Sequence, residues 1–177
     1  SAGMRSLLMR MKPENLEDLL AAISLYRPGP MDSMDTYLNN RRHPEKTVYK
    51  SEKLRSIMSV THGCLIYQEQ VMNIARALGG YTMGGADKLR KVMGKKMRDE
   101  IPKQRKMFME GAVKNGIEEA TAGAIFDQME KFASYGFNKS HAAAYSLISY
   151  QTAYLKAHYP VEFMCAVMSL DITNTDK

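Results

Sequence analysis

The chain has 177 residues, of which 45% are hydrophobic and 25% are charged, so it is long enough to fold around a core as one domain. Its 25 Lys and Arg outnumber its 19 Asp and Glu, and the formal net charge of +6 favours anionic partners such as nucleic acid, nucleotides or an acidic protein surface. No apolar run approaches the roughly 18 residues of a membrane-spanning helix, and no signal peptide is visible. We therefore expect a cytoplasmic protein without membrane attachment.

The two cysteines, Cys64 and Cys165, lie far apart and have no metal-ligand spacing with the four histidines. This excludes a disulfide framework and a zinc site of the usual kind. Both cysteines have apolar neighbours, so we expect two buried free thiols in a reducing compartment. The chain starts without an initiator Met, which favours a piece of a longer protein.

The first half of the sequence predicts helices separated by turns. The leucines of residues 12–26 follow the spacing of one helix face, and Pro13 occupies a typical first helical position. Two prolines around a glycine then predict a rigid turn. We expect a short helix near 31–42, another from Ser51, and a brief extended piece at 63–67.

The second half predicts longer helices. Gly79 and Gly80 end the first of them, Thr82 caps the next, and Pro102 is tolerable in the first turn of the third. Three more helical patterns follow, and the one that begins near residue 139 is the longest. The expected fold is all-α or nearly so, a compact domain of about eight to ten helices that spans residues 1–177.

The densest cluster of positive charge lies between residues 87 and 106. Such a cluster can neutralise several phosphates, although a solvent-exposed basic helix face is the commoner meaning of a basic run. Neither a P-loop nor a GxGxxG loop is present. The cations of interest are Arg90, Lys91, Lys95, Lys96 and Arg98.

A second set of polar residues stands at the start of the longest helix. Asn138 or Ser140 can cap it, and its unpaired N–H groups form a natural binding position for an anion, beside the charge of Lys139. One turn separates His141 from Tyr145, so both lie on one face, and an aromatic ring there could stack on a base. A structural histidine and a packed tyrosine are an equally good interpretation.

The opposite face of this helix predicts a core stripe, formed by Ala144, Leu147, Ile148 and Leu155. No carboxylate pair stands in an apolar strand of the kind that binds catalytic metal ions, and no nucleophile lies beside a base. The residues themselves therefore predict binding to something anionic and aromatic, and no catalytic or metal site.

Long stretches of the chain resemble a known family. The segments "LYRPGPMD", "LIYQEQVMNIARALGGYTMGGADKLRKVMGKK" and "FDQMEKFASYGFNKSHAAAYSLISYQTAYLKAHYP" are similar to the alpha subunits of bacterial DNA polymerase III, the C-family replicases. The similarity covers nearly all 177 residues, and loop 41–56 is the least constrained part. In that family these motifs belong to the fingers, and the catalytic aspartates lie in the palm, outside this chain.

The resemblance implies roles for the residues already singled out. Arg90 and Lys91 would face the phosphates of the incoming dNTP, Lys139 and His141 would border that pocket, and Tyr145 would contact the nascent base pair. The family often has two arginines where this chain has Arg90–Lys91, and a lysine supplies charge without a bidentate fork. Lys95, Lys96 and Arg98 are predicted to contact DNA phosphates.

The same resemblance implies a parent DNA-directed DNA polymerase that binds primer-template DNA, dNTP and other replicase subunits. Its Mg²⁺ would be bound by the palm, so we expect no catalytic residue and no polymerase activity in this chain alone. Two alternatives stay open from the residues. One is a general basic nucleic-acid-binding module without a nucleotide pocket, and the other is a protein-interaction scaffold with an acidic partner.

Overall fold

The computed structural model describes residues 1–27 and 29–172. These residues form ten α-helices and four short 3₁₀ segments, and no strand, which confirms the predicted all-α class. The helices are α1 (Ala2–Met11), α2 (Leu16–Leu25), α3 (Met34–Arg42), α4 (Arg55–Met58), α5 (Gln68–Gly79), α6 (Met83–Gly94), α7 (Ile101–Lys114), α8 (Glu119–Ala133), α9 (Lys139–His158) and α10 (Pro160–Leu170). The 3₁₀ segments are Pro30–Ser33, Pro44–Lys46, Glu52–Leu54 and Ser59–Thr61.

Several helix ends follow the local signals in the sequence. Gly80 ends α5 with a φ of 69°, which a residue without a Cβ adopts readily. The Thr82 hydroxyl accepts a hydrogen bond from the backbone N–H of Gly85 and so caps α6. One expectation was wrong: α2 begins at Leu16 and not at Pro13, because the side chain of Asn15 caps it. No element had been predicted over the residues of α1.

The predicted extended piece at 63–67 is reduced to a single parallel bridge between Tyr67 and Phe137. The N–H of Phe137 donates to the carbonyl of Ile66, and the N–H of Gln68 donates to the carbonyl of Phe137. This bridge joins the segment that leads into α5 to the segment that leads into α9, so the starts of these two helices lie side by side.

Two hydrophobic clusters form the core. One lies among α4 to α8 and the other among α1, α2, α3, the segment 64–67 and the first turn of α9. Full burial of a large apolar side chain stabilises a fold by about 1.5–3 kcal/mol. The largest fully buried apolar side chains of the first cluster are Ile74, Leu78, Leu89, Met93, Phe108 and Phe126, and those of the second are Leu7, Met11, Leu25, Tyr37, Ile66 and Tyr67.

Helices α5 and α7 approach each other closely because both carry glycine at the contact. A Cβ atom on Gly111 would lie 2.0 Å from the carbonyl oxygen of Gly79, a distance that no carbon can occupy. The side chain of Asn115 donates to the carbonyl of Leu78 at 2.6 Å and fastens the same contact. The α5–α7 contact therefore depends on the missing side chain of Gly111.

A buried ion pair joins α2 to α3. The Arg41 guanidinium donates to both carboxylate oxygens of Asp18, at 3.1 and 2.7 Å, and the N–H of Glu14 donates to the same carboxylate. Burial raises the pKa of Asp18, but the bonds from Arg41 and Glu14 outweigh it and hold that pKa below its ordinary value. The carboxylate is therefore charged near neutral pH and fixes the two helices relative to each other.

The end of the described chain is more exposed than predicted. Helix α9 packs against α2, where Ala142 and Ser146 are buried, and α10 packs against α9 without burying a side chain fully. Leu147, Ile148 and Leu155 are about half exposed, so the predicted core stripe on α9 was wrong. The apolar pattern marks a face of the helix, but within residues 1–27 and 29–172 no element covers that face.

The two thiols differ. Cys64 is buried, as predicted, and burial raises its pKa to about 11. Cys165 is exposed, so its predicted burial was wrong, because it lies on α10, where no residue is buried. Both are free cysteines. None of the helices described here is long and apolar enough to cross a membrane.

Candidate functional site

Two of the predicted phosphate-binding residues stand together in the second half of α6. Asp87 accepts from both of them: Arg90 Nη2 lies 2.7 Å from Oδ1, and Lys91 Nζ lies 2.7 Å from Oδ2. The bonds from Lys91 and Arg90 hold the pKa of Asp87 below its ordinary value. One carboxylate therefore sets the positions of both cations, a role for Asp87 that was not predicted from the sequence.

Arg90 also reaches α5. Its Nη1 donates to Oε1 of Gln68 at 3.1 Å, and Nε2 of Gln68 donates to the carbonyl of Gly136 at 2.9 Å. The Arg90 side chain is only 26% exposed, whereas that of Lys91 is 58% exposed. The structure thus connects α6 to the segment before α9 through one amide side chain, which sequence reasoning also missed.

The start of α9 binds an anion, as its unpaired N–H groups predict, but the anion belongs to the protein. Asn138 is the capping residue, and its side chain accepts from the N–H of His141 at 2.8 Å. Both carboxylate oxygens of Glu69 lie 3.1 Å from the N–H of Lys139. The ammonium of Lys139 pairs with Glu17 at 3.0 Å. A phosphate at this helix start would have to share these donors with Glu69 and Glu17.

Three aromatic rings follow one another along this part of the chain. The rings of Phe137 and His141 have centroids 5.3 Å apart, and those of His141 and Tyr145 have centroids 4.6 Å apart. The predicted common face of His141 and Tyr145 is thus confirmed. Tyr145 is 55% exposed, so its ring is free on one side to contact another molecule.

Arg27, two residues beyond the end of α2, lies against the ring of Phe137. Its guanidinium lies 4.4 Å from the ring centroid of Phe137, and its Nη2 donates to the carbonyl of Tyr135 at 2.8 Å. Burial lowers the pKa of Arg27. The "LYRPGPMD" stretch was interpreted as a turn and as a family motif, and Arg27 within it was given no role, although an arginine beside two prolines and a glycine is a signal that could have been followed.

The three cations predicted to bind DNA lie just beyond the end of α6. Lys95, Lys96 and Arg98 are all exposed, and no ion pair joins any of them to a carboxylate of the described residues. Lys96 has a φ of 51°, which turns the chain sharply after the helix. Lys96 and Arg98 line an open cavity of about 540 Å³. Its other lining residues are Met93, Ile101, Asp127, Glu130, Lys131, Ser134 and Tyr135.

The geometry therefore separates the predicted residues into two groups. Arg90 is linked by Gln68 to the segment that leads to Lys139 and His141, and Lys91 joins this group through Asp87. The other three cations form a less constrained group at the end of the same helix. Across residues 1–27 and 29–172, no cluster of three or more His, Cys, Asp or Glu side chains could hold a metal ion.

The family model for the bacterial DNA polymerase III alpha subunit finger domain matches residues 1–116. The chain belongs to this family. The match ends before α8, but individual relatives extend it, and the family resemblance identified from the motifs is confirmed over the whole chain.

The DNA polymerase III subunit alpha of Xylella fastidiosa strain Temecula1 is 53% identical over 177 residues. The proteins of the same name from Escherichia coli K12 and Pseudomonas aeruginosa PAO1 are 52% identical over 184 residues and 50% identical over 187 residues. Each alignment covers 100% of this chain. The finger-domain chain spans only 15% to 16% of the length of these relatives.

The exposure of Tyr145 leads to a prediction for the stability of this finger-domain chain. Tyr145→Ala should reduce the free energy of unfolding by less than about 1 kcal/mol, since the ring loses mainly its contact with His141. Tyr37→Ala is the matched control, because Tyr37 is 1% exposed and its loss should cost about 3–5 kcal/mol. Denaturant unfolding of both variants measures the difference, and equal losses would show that Tyr145 is a core residue.

Proposed function

We propose that residues 1–177 form most of the fingers of a bacterial replicative DNA-directed DNA polymerase and position the incoming dNTP against the nascent base pair. The observation that carries the proposal is the hydrogen-bonded connection from Arg90 through Gln68 to the start of α9. It joins the helix of Arg90 to the segment that leads to Lys139 and the exposed Tyr145, although these residues are distant from Arg90 in sequence. Membership of the finger-domain family supports the same assignment.

Within this proposal, each side chain has a physical task. Arg90 contacts phosphate oxygens with its planar guanidinium, and Lys91 and Lys139 add positive charge that the triphosphate requires. His141 borders the pocket, and Tyr145 offers its exposed ring to the nascent base pair, where stacking is worth about 1–3 kcal/mol. Asp87 and Glu17 pair with the cations until the nucleotide arrives, and Glu69 occupies the backbone N–H of Lys139.

DNA synthesis by such a polymerase also needs Mg²⁺, and the described residues do not form a site that could bind this ion. No group of three or more acidic, His or Cys side chains is assembled in this part of the protein. We therefore assign Mg²⁺ and the catalytic carboxylates to the palm, outside residues 1–177. The chain by itself should not extend a primer, and template-directed incorporation by a preparation free of host polymerase would contradict this.

Primer-template DNA, dNTP and the other replicase subunits are the proposed partners, in the cytoplasm. Lys95, Lys96 and Arg98 would contact the DNA backbone, because their charges are exposed and not paired with carboxylates of the described chain. A general nucleic-acid-binding module would make the same backbone contacts, but it gives no reason for the connected group around Arg90.

Neutralising the two groups of cations separately tests the proposed function. In the full-length polymerase, Lys139→Ala should raise the Kd of the correct dNTP about tenfold and leave the Kd of primer-template DNA unchanged. Replacing Lys95, Lys96 and Arg98 together by Ala should instead leave the Kd of the dNTP unchanged and raise the Kd of primer-template DNA. It should weaken DNA binding and flatten the slope of log affinity against log salt by about 2–3 units, since each phosphate contact contributes about 0.9.

Lys114→Ala is the control, because Lys114 is an exposed lysine at the end of α7 and forms no ion pair with the described chain. Fluorescence titrations at several salt concentrations, with a primer terminated by a dideoxynucleotide, measure both affinities. An equal loss of dNTP and DNA affinity in both variants would favour a general polyanion-binding module. Unchanged affinities would favour a protein-interaction scaffold.

A further inference from the structure

The segment between α8 and α9 is held by hydrogen bonds to three successive carbonyl groups. The carbonyl of Tyr135 accepts from the guanidinium of Arg27 at 2.8 Å. The carbonyl of Gly136 accepts from the side chain of Gln68, and that of Phe137 from the backbone of Gln68, both at 2.9 Å. One residue of α5 therefore supplies two of the bonds to these three carbonyl groups.

The orientation of the Gln68 amide is determined by chemistry. Its Nε2 faces the carbonyl oxygen of Gly136, which can only accept, and its Oε1 faces the guanidinium of Arg90, which can only donate. In a flipped amide, Nε2 would face the guanidinium of Arg90 and Oε1 would face the carbonyl oxygen of Gly136, so neither hydrogen bond could form. The amide is therefore an ordered connection between α6 and the segment that leads into α9.

Close packing leaves this side chain little freedom. A Cβ atom on Gly136 would lie 3.0 Å from Cγ of Gln68 and 3.2 Å from the ring of Phe132, so the glycine backbone lies directly against both side chains. The remaining nitrogens of Arg90 are engaged by Asp87, which belongs to the same helix as Arg90. Among the described residues outside α6, Gln68 is therefore the one that forms a hydrogen bond with the Arg90 guanidinium.

We propose that Gln68 is a positioning residue for the incoming nucleotide, which rests on the proposed function of Arg90. By bonding Arg90 on one side and Gly136 on the other, Gln68 sets the guanidinium at a fixed distance from Lys139 and His141. The hydrogen-bond donors of α6 and α9 are then already in place when the triphosphate binds. Binding therefore loses less free energy to the ordering of these side chains. A neutral amide does this without adding a negative charge that would compete with phosphate, as Asp87 does.

The test uses the full-length polymerase and single-nucleotide incorporation kinetics. Gln68→Ala should raise the KM for the correct dNTP about tenfold, with a much smaller change in kcat and no change in the Kd of primer-template DNA. Asn73→Ala is the matched control, since Asn73 is an exposed amide residue of the same helix and its side chain makes no hydrogen bond within the described chain. It should leave the KM unchanged.

A double-mutant cycle distinguishes this proposal from the proposed function. If Gln68 acts through Arg90, Gln68→Ala should have no further effect on KM in the Arg90→Ala background. If Arg90→Ala itself leaves kcat/KM for the correct dNTP unchanged, the proposed function of Arg90 fails. If Arg90→Ala lowers kcat/KM but Gln68→Ala does not raise KM, or if the two effects simply multiply, the positioning role of Gln68 is overturned.

Loss of the fold must not be mistaken for loss of positioning. Circular dichroism and thermal unfolding check each variant, and Gln68→Met, which keeps the length of the side chain without its polar atoms, replaces Gln68→Ala if the alanine variant unfolds. A folded Gln68→Met polymerase with a normal KM would overturn the proposal, and one with a raised KM and nearly normal kcat would support it.

Discussion

Replacing Arg90 by Ala in the full-length polymerase should lower kcat/KM for correct dNTP incorporation about 10²–10³-fold. The expected size is that of losing one preorganised charged donor that stabilises a developing negative charge. Arg90 is the predicted phosphate ligand that the structure orders most fully, through Asp87 and Gln68. Arg90→Lys should recover only part of the loss, because an ammonium keeps the charge without the planar fork.

Pre-steady-state incorporation of a single nucleotide measures this effect. Arg76→Ala is the matched control, since Arg76 is an exposed arginine on α5 with no ion pair in the described chain, and it should leave kcat/KM unchanged. The Kd of primer-template DNA should stay within about twofold for both variants, because one exposed or partly buried charge contributes little to a large DNA interface. An Arg90→Ala polymerase with normal kinetics would remove Arg90 from the nucleotide site.

A large effect on stability is expected from Gly111→Ala. The added methyl group would lie 2.0 Å from the carbonyl oxygen of Gly79, so α5 and α7 would have to separate. Separation would loosen the packing around Phe108 and Ala112, both of which are fully buried. We expect a loss of about 3 kcal/mol or more, and a fall in Tm of about 6–12 °C, measured by thermal unfolding of the chain.

Gly123→Ala is the matched control for this change. Gly123 also lies inside a helix, α8, but the nearest atoms to its added Cβ are at 3.7 and 3.9 Å, which is ordinary contact. Alanine should therefore leave the stability unchanged or increase it by about 0.5–1 kcal/mol, as expected for glycine replaced within a helix. Similar Tm values for the two variants would show that the α5–α7 contact can relax, contrary to the geometry.

Much of the fold could be predicted because its signals are local. Thr82 and Asn138 cap the helices that follow them, and Gly80 ends the helix before it, since each acts on a backbone within a few residues. The burial of α9 could not be predicted in the same way. Leu147 and Ile148 have the spacing of a core stripe, but burial depends on which element packs there.

The candidate site shows the same division. The positive charges and the common face of His141 and Tyr145 follow from the sequence alone. The partners of Lys139 could not be predicted from the sequence, because Glu17 and Glu69 belong to helices more than 60 residues away along the chain. Glutamates in such positions look like ordinary surface charges until the helices are assembled.

The most direct test of the central claim is the structure of the full-length polymerase bound to primer-template DNA and the correct incoming dNTP. We predict that the guanidinium of Arg90 and the ammonium of Lys139 lie about 2.7–3.2 Å from oxygens of the triphosphate, with Tyr145 against the nascent base pair. The opposite result would be a triphosphate bound by other residues, while Arg90 still pairs only with Asp87 and Gln68 and Lys139 only with Glu17. That result would contradict the assignment of this cluster to nucleotide binding.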